Sequence, residues 1–149
     1  MASLPSGTVT FLFTDIEGST RLWDIGNSAM QDAVARHDVL MRNAIESAGG
    51  HVFKTIGDAF CAAFATAPEA LVAALTAQTA IHTERWPTPL GLRVRMALNT
   101  GIADLRQCDY FGTALNRVAR LLASGHGGQT LLSERHMTYA VTTCRQMSR

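Results

Sequence analysis

The chain has 149 residues, 47% of them apolar and 17% charged, with a formal net charge of +1. That length suits one domain around a real core and leaves little room for two, and the composition excludes a disordered chain. Basic and acidic residues are interspersed, without the basic excess of a dedicated binder of nucleic acid or membrane surfaces, so neither is an expected partner. Cys61, Cys108 and Cys144 are odd in number, far apart and in no CxxC pattern. They read as reduced thiols of a cytoplasmic protein, forming neither a disulfide frame nor a zinc site. The most apolar stretch, Leu71 to Ile81, is interrupted by Thr76, Gln78 and Thr79 and is too short to span a bilayer. Met1 to Gly7 lacks the charged and apolar regions of a secretory signal.

Gly7 to Phe13 (GTVTFLF) is a short β-rich run and reads as a buried strand, ending at Thr14-Asp15-Ile16-Glu17-Gly18-Ser19-Thr20. Met30, Val34, His37, Met41, Ile45 and Ala48 then recur at spacings of three and four, the mark of a long amphipathic helix. Asn27 or Ser28 is placed to cap its start, and Gly49-Gly50 to stop it. His51 to Ile56 and Ala59 to Ala65 are strand-like runs joined by Gly57-Asp58, a tight hairpin. Thr66-Ala67-Pro68-Glu69 resembles a capping box. The helix after it puts Leu71, Val72, Leu75, Thr79 and His82 on one side and stops near Trp86-Pro87. Leu92 to Asn99 alternates, with Leu92, Val94, Met96 and Leu98 facing one way and Arg93, Arg95, Ala97 and Asn99 the other. A loop is expected over Thr100 to Cys108. A third helix is expected over Thr113 to Ala123, with Leu115, Val118, Ala119 and Leu122 inward, then a break at Gly125 to Gly128. A short strand, Gln129 to Leu132, and a last helix capped by Ser133 complete the pattern. The order β-α-β-β-α-β, followed by α, β and α, predicts an α+β fold: a ferredoxin-like antiparallel sheet with helices packed on one face.

Asp15 stands where the first strand runs out, a position suited to gripping a hard cation, with Gly18-Ser19-Thr20 next to it as a turn able to offer backbone N–H groups to phosphate. In a ferredoxin-like sheet the first strand lies beside the central hairpin, so Asp58 and Asp15 are expected to converge at one edge and hold two divalent cations. Asn116 and Arg120, four apart on one helix face, suit a ribose oxygen and a phosphate. Lys54 and Asp109 complete the polar set. Taken singly, each of these residues reads first as a cap, a turn residue or a solvated helix position.

Together the motifs FLFTDIEGSTRLWD (11–24), FKTIGDAFCAAF (53–64) and DYFGTALNRVARL (109–121) resemble class III adenylate/guanylate cyclase catalytic domains. LRVRMALNTGIA and GGQTLLS fall in the expected order, so the resemblance covers Gly7 to roughly Ser133. It implies metal binding by Asp15, Asp58 and the backbone carbonyl of Ile16. It implies purine reading by Lys54 and Asp109, ribose orientation by Asn116, and stabilisation of charge on the reacting phosphate by Arg120. It also implies two Mg²⁺ per site, replaceable by Mn²⁺, and a homodimer with composite sites at its interface. Asp15 and Asp58 of one subunit would then face Lys54, Asp109, Asn116 and Arg120 of the other. In this reaction the ribose 3′-hydroxyl attacks the α-phosphorus in line and pyrophosphate leaves. With Lys54 donating and ionised Asp109 accepting, the base edge that fits is adenine; guanine would leave Asp109 without a donor, at about 1–3 kcal/mol. The expectation is therefore an ATP-consuming adenylate cyclase of cyclic-nucleotide signalling, a phosphorus-oxygen lyase.

Ala59, Ala97, Asn99 and Cys108 stand where many relatives have Gly, Gly, His and Gly. Relatives continue into a further strand pair for which residues 144–149 show no pattern, so a single domain over 1–149 lacking its C-terminal strands is expected. The alternatives are a non-catalytic cyclase-like module that binds nucleotide or dimerises, and a plain ferredoxin-like domain. A diguanylate cyclase is disfavoured because Gly57-Asp58-Ala59-Phe60 occupies the hairpin where its GG(D/E)EF turn would lie. Any regulator is expected outside these residues, as a separate protein or neighbouring domain.

Overall fold

A computed structural model describes residues 3–138. The elements are β1 (Gly7–Ile16), α1 (Ser19–Ile25), α2 (Asn27–Ser47), β2 (His51–Ile56), β3 (Ala59–Phe64), α3 (Ala67–Thr83), β4 (Val94–Arg106), β5 (Asp109–Phe111), α4 (Thr113–Ala123) and β6 (Thr130–Leu132). One sheet runs β2-β3-β1-β4-β5, with β6 added parallel to β4 and the other pairs antiparallel. This is the expected α+β fold, with β1 at the centre of the βαββαβ unit.

Alternation along β1 divides the interior into two layers. Leu12 and Ile16 pack with Met30, Met41 and Ile45 of α2 and the alanines of α3. Val9 and Phe11 point to the opposite face, where they meet Ala97, Tyr110, Ala114 and Val118. The helices α2 and α3 thus share one face as expected, while α4 covers part of the other. The exposed remainder of that second face is where the candidate site lies.

Four local features differ from expectation. A short helix, α1, follows β1 directly, because Gly18 takes a left-handed conformation (φ 63°) and turns the chain at its start. The N-cap of α2 is Gly26, without a side-chain cap, and Asn27 instead accepts from Gln31 Nε2 at 3.3 Å. The buried side of α3 is its alanine stripe, Ala67, Ala70, Ala73, Ala74 and Ala77 with Ile81, whereas Val72 and Leu75 are exposed. Small side chains let α3 lie close against the sheet. Finally, the segment expected as a loop continues β4 to Arg106. It reverses at Gln107-Cys108, both with positive φ (50° and 64°), in the twist that suits a two-residue hairpin.

Other expectations hold. Gly49 (φ 86°) and Gly50 follow the end of α2, and a Cβ on Gly50 would collide with the Phe64 ring. Thr66 Oγ1 accepts from the Glu69 backbone N–H and donates to its carboxylate, so the expected cap forms, with the return bond made by the hydroxyl in place of the Thr66 backbone N–H. Ser133 Oγ accepts from His136 N at 3.0 Å, opening a helical turn over 134–138. The remainder of the expected last helix, Cys144 and the expected missing strands concern residues outside the described range. Among the described residues no helix is long and apolar enough to cross a membrane.

Candidate active site

The end of β1 and the β2–β3 turn meet. The backbone N–H of Ile16 donates to Asp58 Oδ1 at 3.3 Å, and Asp15 is the residue before it. Gly57, at φ 58°, lets the turn close so tightly. The β1–β4 register places Asp15 opposite Arg95. Arg95 Nε donates to Asp15 Oδ1 at 2.7 Å and its terminal nitrogen reaches Oδ2, so the guanidinium grips both carboxylate oxygens. This hydrogen-bonded partner raises the Arg95 pKa further, against partial burial. Arg95 is the site residue that strand alternation left unassigned. Its signal lies in cross-strand pairing, which cannot be read before the register is known.

The donors at this edge are the carboxylates of Asp15 and Asp58, with the carbonyl of Ile16 between them in sequence. An all-oxygen set suits hard divalent cations such as Mg²⁺ or Mn²⁺. Among the described residues no third His, Cys, Asp or Glu joins them. Gly18, Ser19 and Thr20 form the start of α1 one turn further on. A cavity of about 370 Å³ opens beside them, lined by Glu17, Gly18, Arg21, Leu22, Leu90, Gly91 and Arg93. Neither Asp15 nor Asp58 lines it.

Lys54 and Asp109 are brought together as a pair. Lys54 Nζ lies 2.8 Å from Asp109 Oδ2, and Asp109 Oδ1 accepts from the Tyr110 backbone N–H at 2.8 Å. The hydrogen bond from Lys54 holds the Asp109 carboxyl below its ordinary pKa and lifts that of Lys54 in turn. Cys61 stands opposite Lys54 in the β2–β3 ladder, and burial pushes its thiol up to about 11. β2 and β5 lie at opposite ends of the strand order, so the contact forms only because the β4–β5 hairpin arches back over the sheet face.

Asn116 and Arg120 are exposed one turn apart on α4. The inner side of that helix is Ala114 and Val118, backed by Leu115, Leu121 and Leu122; Ala119, expected inward, is exposed. Buried Asn99 fastens the first turn, donating from Nδ2 to the Ala114 carbonyl at 2.9 Å. Among the described residues no hydrogen bond or ion pair links the Asp15–Asp58 edge, the Lys54–Asp109 pair and the Asn116–Arg120 face to one another. Within one chain they form three groups without a direct polar link.

The sequence model of the adenylate and guanylate cyclase catalytic domain matches residues 1–148. The chain belongs to this family. The adenylate cyclase of Schizosaccharomyces pombe is 33% identical over 156 residues, covering 88% of this chain and 9% of that enzyme. An uncharacterized Mycobacterium tuberculosis protein is 41% identical over 131 residues, covering 87% of this chain and 44% of its own length. The chain thus spans less than half the length of these curated relatives. A solved structure of adenylate cyclases from Trypanosoma brucei in their monomeric state superposes with a TM-score of 0.87 at 29% identity, covering 97% of this chain and 81% of that one. Within this cyclase domain, Arg95 lies outside the motifs, Phe53 and Tyr110 stand inside them without an assigned role, and Asn99 entered only as a departure from relatives.

Proposed function

We propose that this domain is an adenylate cyclase converting ATP to 3′,5′-cyclic AMP and pyrophosphate for intracellular cyclic-nucleotide signalling. The observation that carries the reading is the Lys54–Asp109 pair, a donor and an acceptor set side by side at 2.8 Å. Adenine offers that pair a ring nitrogen to accept from Lys54 and an exocyclic amine to donate to Asp109. Guanine bound in the same pose presents a carbonyl in place of the amine, so that Asp109 faces an acceptor there.

Asp15, Asp58 and the Ile16 carbonyl would hold two Mg²⁺, with Mn²⁺ able to substitute. When bound, they would balance triphosphate charge and acidify the ribose 3′-hydroxyl. Asn116 would orient the ribose so that this hydroxyl faces the α-phosphorus. The bond from the 3′-oxygen to the α-phosphorus forms as the bond to the bridging oxygen of pyrophosphate breaks, and the hydroxyl proton passes to solvent. Arg120 would stabilise the charge that grows on the α-phosphate, and the turn Gly18-Ser19-Thr20 would offer N–H groups to the triphosphate. The separation of the three groups within one chain supports a homodimer with composite sites, in which carboxylates of one subunit face the base, ribose and phosphate readers of the other.

The test is formation of cyclic product from ATP and from GTP, with Mg²⁺ or Mn²⁺, at several protein concentrations. Cyclic AMP in excess, rising more than linearly with protein, is expected. The engagement of both Asp15 oxygens by Arg95 favours one rival, a non-catalytic nucleotide-binding or dimerising module. Absence of product at high protein concentration would overturn the enzyme reading. Lys54→Glu with Asp109→Cys is expected to shift preference towards GTP; equal loss on both nucleotides would refute the assigned base readers.

A further inference from the structure

β2 carries one residue more than its partner strand. Val52 faces Ala62 and Lys54 faces Cys61, leaving Phe53 as an inserted residue between them. In a regular strand Phe53 and Lys54 would point to opposite faces. The bulge turns both onto the same one. There the Phe53 ring meets Phe11 edge-on (centroids 6.0 Å, 74°) and Tyr110 (4.8 Å, 72°), while Lys54 reaches Asp109. The two rings in contact, Phe53 and Tyr110, are the chain neighbours of the two charges in contact.

β2 and β5 share no ladder hydrogen bonds, since three strands separate them in the sheet. Their distance across the face is set by side chains alone. Phe11 lies under both rings, 5.1 Å from Tyr110, and the Tyr110 N–H holds the second Asp109 oxygen. Such edge-to-face contacts fix both distance and angle, because ring edges are positive and faces negative.

We propose that Phe53 is a positioning residue for base recognition: the bulge that adds it to β2, and its edge-on contact with Tyr110, hold Lys54 against Asp109 before nucleotide arrives. Its consequence for base choice rests on the assignment of Lys54 and Asp109 as the base readers. The assembly of the pair does not, and can be read without nucleotide.

The experiment follows the Asp109 carboxyl titration by NMR in the nucleotide-free protein, and separately the ATP-to-GTP ratio of kcat/KM. Lys54→Met should move the Asp109 titration up towards an ordinary carboxylate. Phe53→Ala should move it part of the way, Phe53→Leu less, and Phe53→Tyr not at all. Phe53→Ala should also lower the ATP-to-GTP ratio by about 10-fold, with Phe53→Tyr restoring it. Met41→Ala, in the layer on the other side of the sheet, serves as a control of comparable stability loss and should move neither readout. An unmoved Asp109 titration in both Phe53→Ala and Phe53→Leu, or an equal change in Met41→Ala, overturns the proposal. So does a ratio altered by Lys54→Met but untouched by Phe53→Ala. A ratio that Lys54→Met itself leaves unchanged identifies the base-reader assignment as the failure and removes the proposed role in recognition with it.

Discussion

Arg120 is exposed, and in the proposed reaction it reaches the reacting phosphate, so its removal should act on turnover far more than on folding. Arg120→Ala is expected to lower kcat by roughly 10²–10³-fold with little change in thermal midpoint, checked by steady-state kinetics and calorimetry. The ionisable residues divide the pH dependence of stability into two windows. His136 is wholly buried beside Thr100, and desolvation pushes its pKa from 6.5 down to about 4. The unfolded chain therefore binds a proton that the folded one refuses. Stability is complete above pH 6.5 and declines as pH falls towards about 4. His136→Gln should flatten that decline, read from urea midpoints at neutral and mildly acid pH. The Lys54–Asp109 pair acts further out. Its carboxyl is depressed from 3.8, so its contribution is present above that value and lost as pH falls through the folded one. The lysine is raised from 10.5, so the contribution is present below that value and lost as pH rises through the folded one. Between these limits Lys54→Met should change stability by a constant, small amount, since both groups are partly exposed.

At the level of elements, each helix start is fixed differently and the chain shows which matter. Thr66 and Glu69 satisfy one another at the start of α3, whereas Gly18, Gly26 and Gly112 precede α1, α2 and α4 without side-chain caps. Thr66→Ala should cost about 1 kcal/mol in denaturant unfolding, with Thr66→Ser restoring most of it. α4, lacking a side-chain cap of its own, is tied from the sheet instead: Asn99 holds the Ala114 carbonyl and accepts from Ser133 Oγ at 2.8 Å. A Cβ on Gly101 would lie 3.0 Å from Ala114 Cβ, so β4 and the first turn of α4 approach as near as packing allows. The strand that carries Arg95 therefore also sets the height of the helix that carries Asn116 and Arg120.

For the whole molecule, no hydrogen bond or ion pair among the described residues joins the three groups within one chain, and in the proposed homodimer a second copy would bring the carboxylate edge to the base and phosphate readers. Mixing Asp58→Ala with Arg120→Ala, each strongly impaired alone, is expected to restore activity, because one of the two composite sites in the mixed dimer is intact. A mixture as inactive as its components would refute the shared site.

Spacing and residue type alone determined the βαββαβ order, the buried stripe of α2, the Thr66–Glu69 cap and the meeting of the end of β1 with the β2–β3 turn. These depend on periods of 2 and 3.6 residues and on which strand adjoins a hairpin. Register and chain reversal decided the rest. Arg95 meets Asp15 only through cross-strand pairing, and the Gln107-Cys108 turn bears no glycine or asparagine to announce it. Lys54 meets Asp109 only because a bulge and an arching hairpin carry opposite edges of the sheet to one place. Contacts between segments distant in sequence leave no local trace, since each partner's neighbours read as ordinary strand and turn.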